Sequence, residues 1–235
     1  GGRLAIANVD AAFDAGMDVV TVNKGPIAWD YRRLRDRATA EGRQLRHEGV
    51  TMDGCPVYNL AEFCLPGDRV IGFRGVLNST SNYVLEKVAE GASLADAVAA
   101  AQRLGYAEAD PTRDLSGQDA EDKLRILAWM CFGVDPATLT VTRRGIDAET
   151  AAWATRVALA GDRVKLIASC AREGDELVAR ILPTRITSDD PWARVTGPFN
   201  RIVVESESAG SLVFQGPGAG GRATAGAVLA DIVAR

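Results

Sequence analysis

The stretch Asp18-Val19-Val20-Thr21-Val22-Asn23-Lys24-Gly25-Pro26 sets four β-branched residues between an acid and a polar turn, the pattern of a short buried strand. Just upstream, Ala5, Ile6, Val9, Ala12 and Phe13 recur at helical spacing, and Gly16 stands where a helix C-cap is needed. A helix feeding a parallel-type strand is half of a βαβ unit, so the sequence is expected to begin in the middle of an α/β domain. After the turn, a polar helix is expected from about Ile27 to Glu41, carrying Arg32, Arg33, Arg35 and Arg37. Open parallel sheets bind ligands beyond the carboxyl ends of their strands, where Asn23 and Lys24 fall. The same two residues read equally as a turn Asn and a solvated Lys.

Further along, His47 to Pro66 is loop-rich and ends in a helix near Asn59 to Cys64, and Arg69 to Val76 reads as a strand. Asn78-Ser79-Thr80-Ser81-Asn82 offers five hydroxyl and amide side chains ahead of a helix over Tyr83 to Ala89, enough either to cap it or to line a pocket. Ser93 to Asp96 starts a scaffold helix in capping-box fashion, with Leu94, Ala97, Val98, Ala101 and Leu104 on one face. A helix over Ala148 to Gly161 precedes four strands, Val164 to Ser169, Glu176 to Leu182, Phe199 to Glu205 and Ser211 to Gln215. Their turns at Glu173 to Asp175 and Ser208 to Gly210 lead us to expect an antiparallel meander.

The 235 residues suffice for one large domain or two small ones with a sizeable core. Lys and Arg number 27 against 31 Asp and Glu, a net charge of −4, so no basic field grips a phosphate backbone or an anionic membrane. No apolar run approaches the roughly 18 to 20 residues of a membrane span, and the start does not read as a signal peptide. Cys55, Cys64, Cys131 and Cys170 are scattered and His47 is the sole histidine, which argues against a zinc site or disulfide framework and fits reduced thiols in a cytoplasm.

The densest chemistry lies between Gly105 and Lys123. Glu108, Asp110 and Asp114 fall in a loop rich in Pro and Gly, and a helix begins at Asp119 with Leu124, Leu127, Ala128 and Cys131 on its buried stripe. Asp119 and Lys123 are four apart and share a face, as do Glu121 and Arg125. On spacing alone both pairs read first as surface ion pairs, with a lysine proton donor held by a carboxylate as the alternative for the first. Near the end, Gly216, Gly218 and Gly221 satisfy G-x-G-x-x-G between a strand and a helix over Thr224 to Val233. No second strand and acid follow, so this reads as a loop that lets a ligand approach the backbone rather than a primary dinucleotide fingerprint.

Taken together, Val19 to Pro26, Gly75 to Tyr83, the run Gly105-Tyr106-Ala107-Glu108-Ala109-Asp110-Pro111 with Asp114, Gly117, Asp119 and Lys123, and Gly216 to Ala230 resemble the homoserine dehydrogenase family in order and spacing. The resemblance implies α/β plus α+β architecture: a partial Rossmann-type nucleotide-binding domain with an inserted α/β catalytic and dimerisation domain. It divides the chain into a nucleotide-domain remnant at 1–42, a catalytic and dimerisation domain at 43–210, and a glycine loop and returning helix at 211–235. The implied activity is NAD- or NADP-dependent interconversion of L-aspartate 4-semialdehyde and L-homoserine, in threonine and methionine biosynthesis, by a cytoplasmic homodimer acting on a small amino-acid substrate.

Carried onto this chain, the resemblance makes Lys123 the proton donor, with Asp119 beside it and Lys24 near the reacting centre. Glu108 holds the substrate ammonium, with Asp114, Thr80 and Tyr106 also at the substrate, while Asn23, Lys24, Gly218 and Gly220 meet the cofactor. Some members bind a monovalent cation such as sodium, and Glu48 matches its side-chain ligand, with Thr51, Asp53 and Cys55 at carbonyl positions. The chain departs from the family in reading Thr51-Met52-Asp53-Gly54 where glycines are commoner, and in Ser79 where Gly is commoner, which narrows the pocket. Family members also begin with a strand, glycine loop and helix not seen here. A second reading is therefore a non-catalytic dimerising or amino-acid-binding fragment, and a third is a divalent-metal hydrolase on Glu108, Asp110, Asp114 and Asp119.

Overall fold

A computed structural model describes residues 2–64, 67–218 and 220–234. Gly1, Leu65, Pro66, Ala219 and Arg235 lie outside the described residues, as therefore does one position of the glycine loop. Helix α1 (Gly2–Asp14) buries Val9 and Phe13 against Leu34 and Ala38. The chain then reverses at Gly16, whose φ of +71° is a left-handed conformation open to glycine. The expected strand is short: β1 is Val19–Val20, paired in parallel with β2 (Leu45–Arg46).

Two helices, α2 (Lys24–Trp29) and α3 (Tyr31–Ala40), connect them, which corrects the single polar helix expected over Ile27 to Glu41. The break is at Asp30, with φ −148° and ψ 20°. Its carboxylate accepts from Arg33 Nε and Nη2 at 2.9 and 2.6 Å, and Arg33 and Arg37 also reach Asp10 at 2.9 and 2.8 Å, locking α3 onto α1.

After α4 (Val57–Cys64), the chain enters β3 (Val70–Val76). Helices α5 (Ser79–Ala89), α6 (Leu94–Arg103), α7 (Thr112–Leu115) and α8 (Gln118–Phe132) follow, then β4 (Val141–Arg143) and α9 (Ala148–Leu159). Strands β5 (Arg163–Glu173), β6 (Glu176–Ile186), β7 (Phe199–Ser206) and β8 (Gly210–Pro217) complete a six-stranded sheet before α10 (Gly221–Val233).

The sheet order is β4-β6-β5-β3-β7-β8. The expected meander is thus corrected: β5–β6 and β7–β8 are hairpins, but β3 lies between them, antiparallel to both. Alternation along a strand sets its faces and leaves its neighbours open. What admits β3 to the centre is its glycines, since a Cβ on Gly72 would lie 3.0 Å from the Ala171 Cβ and one on Gly75 3.0 Å from the Arg201 carbonyl. Strand β4, parallel to β6 at the edge, had no sequence signal beyond three residues.

Helices α5, α6, α8 and α9 cover one face of the sheet, where Val84, Leu85, Leu124, Leu127, Ala154, Leu166, Ile181 and Ile202 form the main core. On the other face Trp192 covers Val76 and Val203, while Phe199 and Val213 stay exposed. Strand β2 continues the parallel layer past residue 42, and β8 keeps the chain in the large sheet to Pro217.

Candidate active site

Four element ends meet at one cavity of about 330 Å³: the starts of α2, α5 and α8 and the end of β8. Lys24, Val50, Asp53, Ser79, Thr80, Tyr106, Glu108, Asp110, Arg113, Asp114, Lys123 and Gly218 are in its wall, with Asn78 and Asp119 between the charged groups. Two of these helix starts are capped by their own asparagine, while α8 starts at Gly117 without a side-chain cap. Asn23 Oδ1 accepts the Gly25 N–H at 2.9 Å, and Asn78 Oδ1 accepts the Ser81 N–H at 2.7 Å.

The i,i+4 spacing of Asp119 and Lys123 delivers the contact it promised, with Nζ 3.4 Å from Oδ2. Burial makes it other than a surface ion pair, because Lys123 is buried and donates to the Leu77 carbonyl at 2.8 Å. Lys24 approaches the other oxygen of Asp119 at 3.2 Å, so two ammonium groups share one carboxylate. Asn78 Nδ2 bridges Asp114 and Asp119 at 2.7 and 2.9 Å. For Asp119, burial opposes ionisation, but the charges of Lys123 and Lys24 and the Asn78 hydrogen bond outweigh it and hold the carboxyl well below its usual range. Asp114 goes the other way: burial raises it, and the neighbouring Asp119 charge adds to that.

At the other end of the cavity the Thr80 hydroxyl donates to the Tyr106 carbonyl, and Gln102 Nε2 holds the loop through the Glu108 and Ala109 carbonyls at 3.2 and 3.1 Å. The Glu108 carboxylate is exposed at the rim and has no ion-pair partner among the described residues. Asp110 caps the short α7 through the Thr112 N–H at 3.0 Å. Asp122, pushed up by burial, accepts from Arg113, Trp29 and Gln118 at 2.6, 3.3 and 3.2 Å, fixing α2 and α7 to α8.

The five-residue polar run is therefore both cap and lining. Asn78 caps α5 and ties the two aspartates, Ser79 and Thr80 line the cavity, the Ser81 hydroxyl donates to the Asn78 carbonyl at 3.1 Å, and Asn82 grips a distant loop.

Of the expected residues, the structure brings Lys24, Thr80, Tyr106, Glu108, Asp114, Asp119, Lys123 and Gly218 together. Asn23 and Gly220 are outside the cavity wall: the Asn23 side chain is spent on its helix cap, and Gly220, at φ 140°, precedes α10. Sequence reasoning missed Arg113 and Asn200, and it reached Asn78 only as one of a polar run that caps a helix or lines a pocket. Asn200 comes from β7 and is fully buried beside Gly218, a contact no local pattern signals.

Glycine at 218 lets the backbone pack against Asn200, since a Cβ there would overlap the Asn200 amide. The expected cation ligands are more dispersed in role. Glu48 is buried, and burial pushes its carboxyl up; its two oxygens accept the Tyr58 and Asn59 N–H groups at 2.9 and 2.7 Å at the start of α4. It has no cationic partner, and Thr51 Oγ1 is buried without a hydrogen bond, among the described residues. Asp53 turns its carboxylate to the Thr224 hydroxyl, and Cys55 donates its N–H to the Met52 carbonyl at 2.9 Å. His47 packs edge-on between Tyr31 and Tyr58, and burial lowers it to about 4, so it stays neutral near pH 7.

Among the described residues no three His, Cys, Asp or Glu side chains gather as a metal-binding group, and both oxygens of Asp119 face lysine ammonium groups. The fold and cavity define an α/β protein with an inserted mixed-sheet domain carrying a lysine–aspartate centre. A homoserine dehydrogenase from Thiobacillus denitrificans has this fold, with a TM-score of 0.93 and 33% identity, covering 99% of this chain and 54% of that one. A hyperthermophilic archaeal homoserine dehydrogenase in complex with NADPH superposes with a TM-score of 0.82 at 31% identity, covering 97% and 67%.

In sequence, the chain is 41% identical over 229 residues to the homoserine dehydrogenase of Corynebacterium glutamicum, covering 95% of this chain and 52% of that protein. It is 38% identical to the NAD(+)-dependent homoserine dehydrogenase of Pseudomonas canavaninivorans, covering 94% and 63%. The homoserine dehydrogenase family profile matches residues 56–233. The chain belongs to the homoserine dehydrogenase family, and it spans about half the length of several curated relatives it matches.

Proposed function

We propose that the protein containing this chain interconverts L-aspartate 4-semialdehyde and L-homoserine with NAD or NADP, as an enzyme of amino-acid biosynthesis. One observation carries this reading: the buried ammonium of Lys123, anchored on Leu77 and Asp119, sits in the wall of a cavity whose far rim holds the unpaired carboxylate of Glu108. An ammonium has three protons. One is donated to the Leu77 carbonyl while Asp119 lies at ion-pair distance, which leaves a proton for an oxygen in the cavity.

The nicotinamide group supplies or accepts the hydride when bound, which no side chain can do. Reducing an aldehyde builds negative charge on its oxygen, and Lys123 both offsets that charge and delivers the proton. Asp119, ionised across the physiological range, holds Lys123 and Lys24 at its two oxygens. Glu108 matches the α-ammonium of an amino-acid substrate, with Asp114, Thr80 and Tyr106 shaping that end. Gly218 is the wall for the cofactor's reactive end, with Gly220 and Asn23 nearby on the chain. The cofactor choice is supported by relatives that use NAD(+) or bind NADPH.

A monovalent cation such as sodium at Glu48, with the carbonyls of Thr51, Asp53 and Cys55, would satisfy a buried carboxylate that otherwise has only N–H donors. The exposed Phe199 and Val213 on the uncovered sheet face support a homodimer joined there, and no described helix is long and apolar enough to cross a membrane. The division at 1–42, 43–210 and 211–235 belongs to this proposal, with β2 and β8 shifting its working limits by a few residues. The free thiols of Cys55, Cys131 and Cys170 among the described residues support cytoplasmic placement. The test is homoserine oxidation by the whole protein followed at the reduced-nicotinamide absorbance; no turnover with either cofactor overturns the reading.

A further inference from the structure

Helix α5 grips the segment from Val195 to Asn200 with three side chains on one face. Ser79 Oγ donates to the Pro198 carbonyl at 2.8 Å and lies 3.1 Å from Asn200 Oδ1. Asn82 Nδ2 donates to the Val195 and Gly197 carbonyls, both at 3.1 Å, and Glu86 accepts the Gly197 N–H at 2.7 Å. Spacings of three and four residues put these groups on one helical face. From β5, the buried Lys165 donates to Asn82 Oδ1 at 2.8 Å and to the Val195 carbonyl at 2.6 Å, closing the network from behind.

This gripped segment is also what holds Gly218. The Gly218 N–H donates to the Pro198 carbonyl at 3.0 Å, so one carbonyl takes both Ser79 and Gly218. The fully buried Asn200 amide faces Gly218 so closely that a Cβ there would run into its carbon, oxygen and nitrogen, and its Nδ2 has no hydrogen-bond partner among the described residues. Gly218 is absent from the glycines with positive φ, so its backbone would accept other residues and only Asn200 bars a side chain. Ser79 itself follows Asn78 and precedes Thr80, the two residues that touch Asp114, Asp119 and Tyr106.

We propose that Ser79 and Asn200 are positioning residues that tie the substrate end of the cavity to its cofactor wall, with the Ser79 hydroxyl setting the Pro198–Asn200 bend and Asn200 setting the depth of Gly218. The proposal rests on the reading of Gly218 as the surface met by the nicotinamide. Hydride transfer depends on the reacting atoms being held in near-contact, so a small shift of this wall acts on the cofactor before the amino acid.

The test uses the whole protein and separate KM values for cofactor and homoserine. Ser79→Ala removes one hydroxyl at nearly constant volume, and is expected to raise the cofactor KM about fivefold while the homoserine KM stays unchanged. Gly218→Ala is expected to raise the cofactor KM about tenfold or more, and adding Asn200→Ser to the same chain to restore most of that loss by making room for the methyl. A purely structural role would lower the melting temperature in every variant without splitting the two KM values or showing rescue. An unchanged cofactor KM in Ser79→Ala, or no rescue by Asn200→Ser, overturns the proposal while the dehydrogenase reading stands. No turnover by the unaltered protein overturns that reading and this proposal with it.

Discussion

Two ion pairs with the same spacing sit two residues apart, on different faces of α8, and do different things. Glu121 and Arg125 are buried and locked in place: Arg125 meets Glu121 at 2.8 Å and the Pro136 and Leu139 carbonyls at 2.6 and 2.7 Å, while Glu121 also takes Arg143 at 2.8 Å. Asp119 and Lys123 are equally local but face a cavity, and Lys123 keeps one proton uncommitted. Identical spacing thus yields a clamp locked to neighbouring elements and a candidate acid whose ammonium opens on a cavity. Which it becomes depends on what the helix packs against.

The comparison breaks most sharply at Lys123. Lys123→Ala in the whole protein is expected to lower kcat by about a thousandfold or more while circular dichroism and cofactor binding persist. Near-normal turnover would remove the distinction between the pairs. The counterpart, Arg125→Ala, leaves Glu121 buried with less compensation and is expected to cost about 3 kcal/mol of stability, read by chemical denaturation, with little change in turnover of the folded protein.

Glu108→Gln tests the other end of the cavity. Without the charge, the homoserine KM is expected to rise by about tenfold to a hundredfold with a smaller effect on the cofactor KM. An unchanged homoserine KM would assign the ammonium to another acid.

The smallest effect concerns the other buried lysine. Lys165 has no carboxylate within ion-pair distance among the described residues, and burial depresses it to about 8. Its unfolded form, titrating near 10.5, binds more protons between about pH 8 and 10.5, so this group makes stability rise with pH across that window, by at most about 1.4 kcal/mol per pH unit. Lys165→Met is expected to flatten that rise in denaturation midpoints measured at pH 8 and 10. An identical slope in both proteins would show that Lys165 titrates normally.

Much of this centre is local and therefore legible. Helix periodicity, the Asn78 and Ser93 caps, and the four-residue step from Asp119 to Lys123 follow from neighbours in sequence, and the structure has each of them. The misjudged features are non-local or depend on small breaks. The kink at Asp30 needs its partner Arg33 in a particular rotamer, and the place of β3 depends on strands about a hundred residues away. The burial of His47 likewise comes from Tyr31 and Tyr58, which flank it only after folding.

By itself the sequence determined the element types, the spacing of the charged pairs on α8 and the family to which the chain belongs, because backbone propensity and i,i+4 geometry are properties of short segments. Only the tertiary structure decided that Lys24 joins Lys123 on Asp119, that Glu121 and Arg125 are a buried clamp, and that Ser79 and Asn200 meet behind Gly218. The first and last of these join residues about a hundred positions apart, and the burial of the clamp comes from partners outside α8. Their energies come from desolvation and from how many hydrogen-bonding positions are left open, which no window of sequence contains.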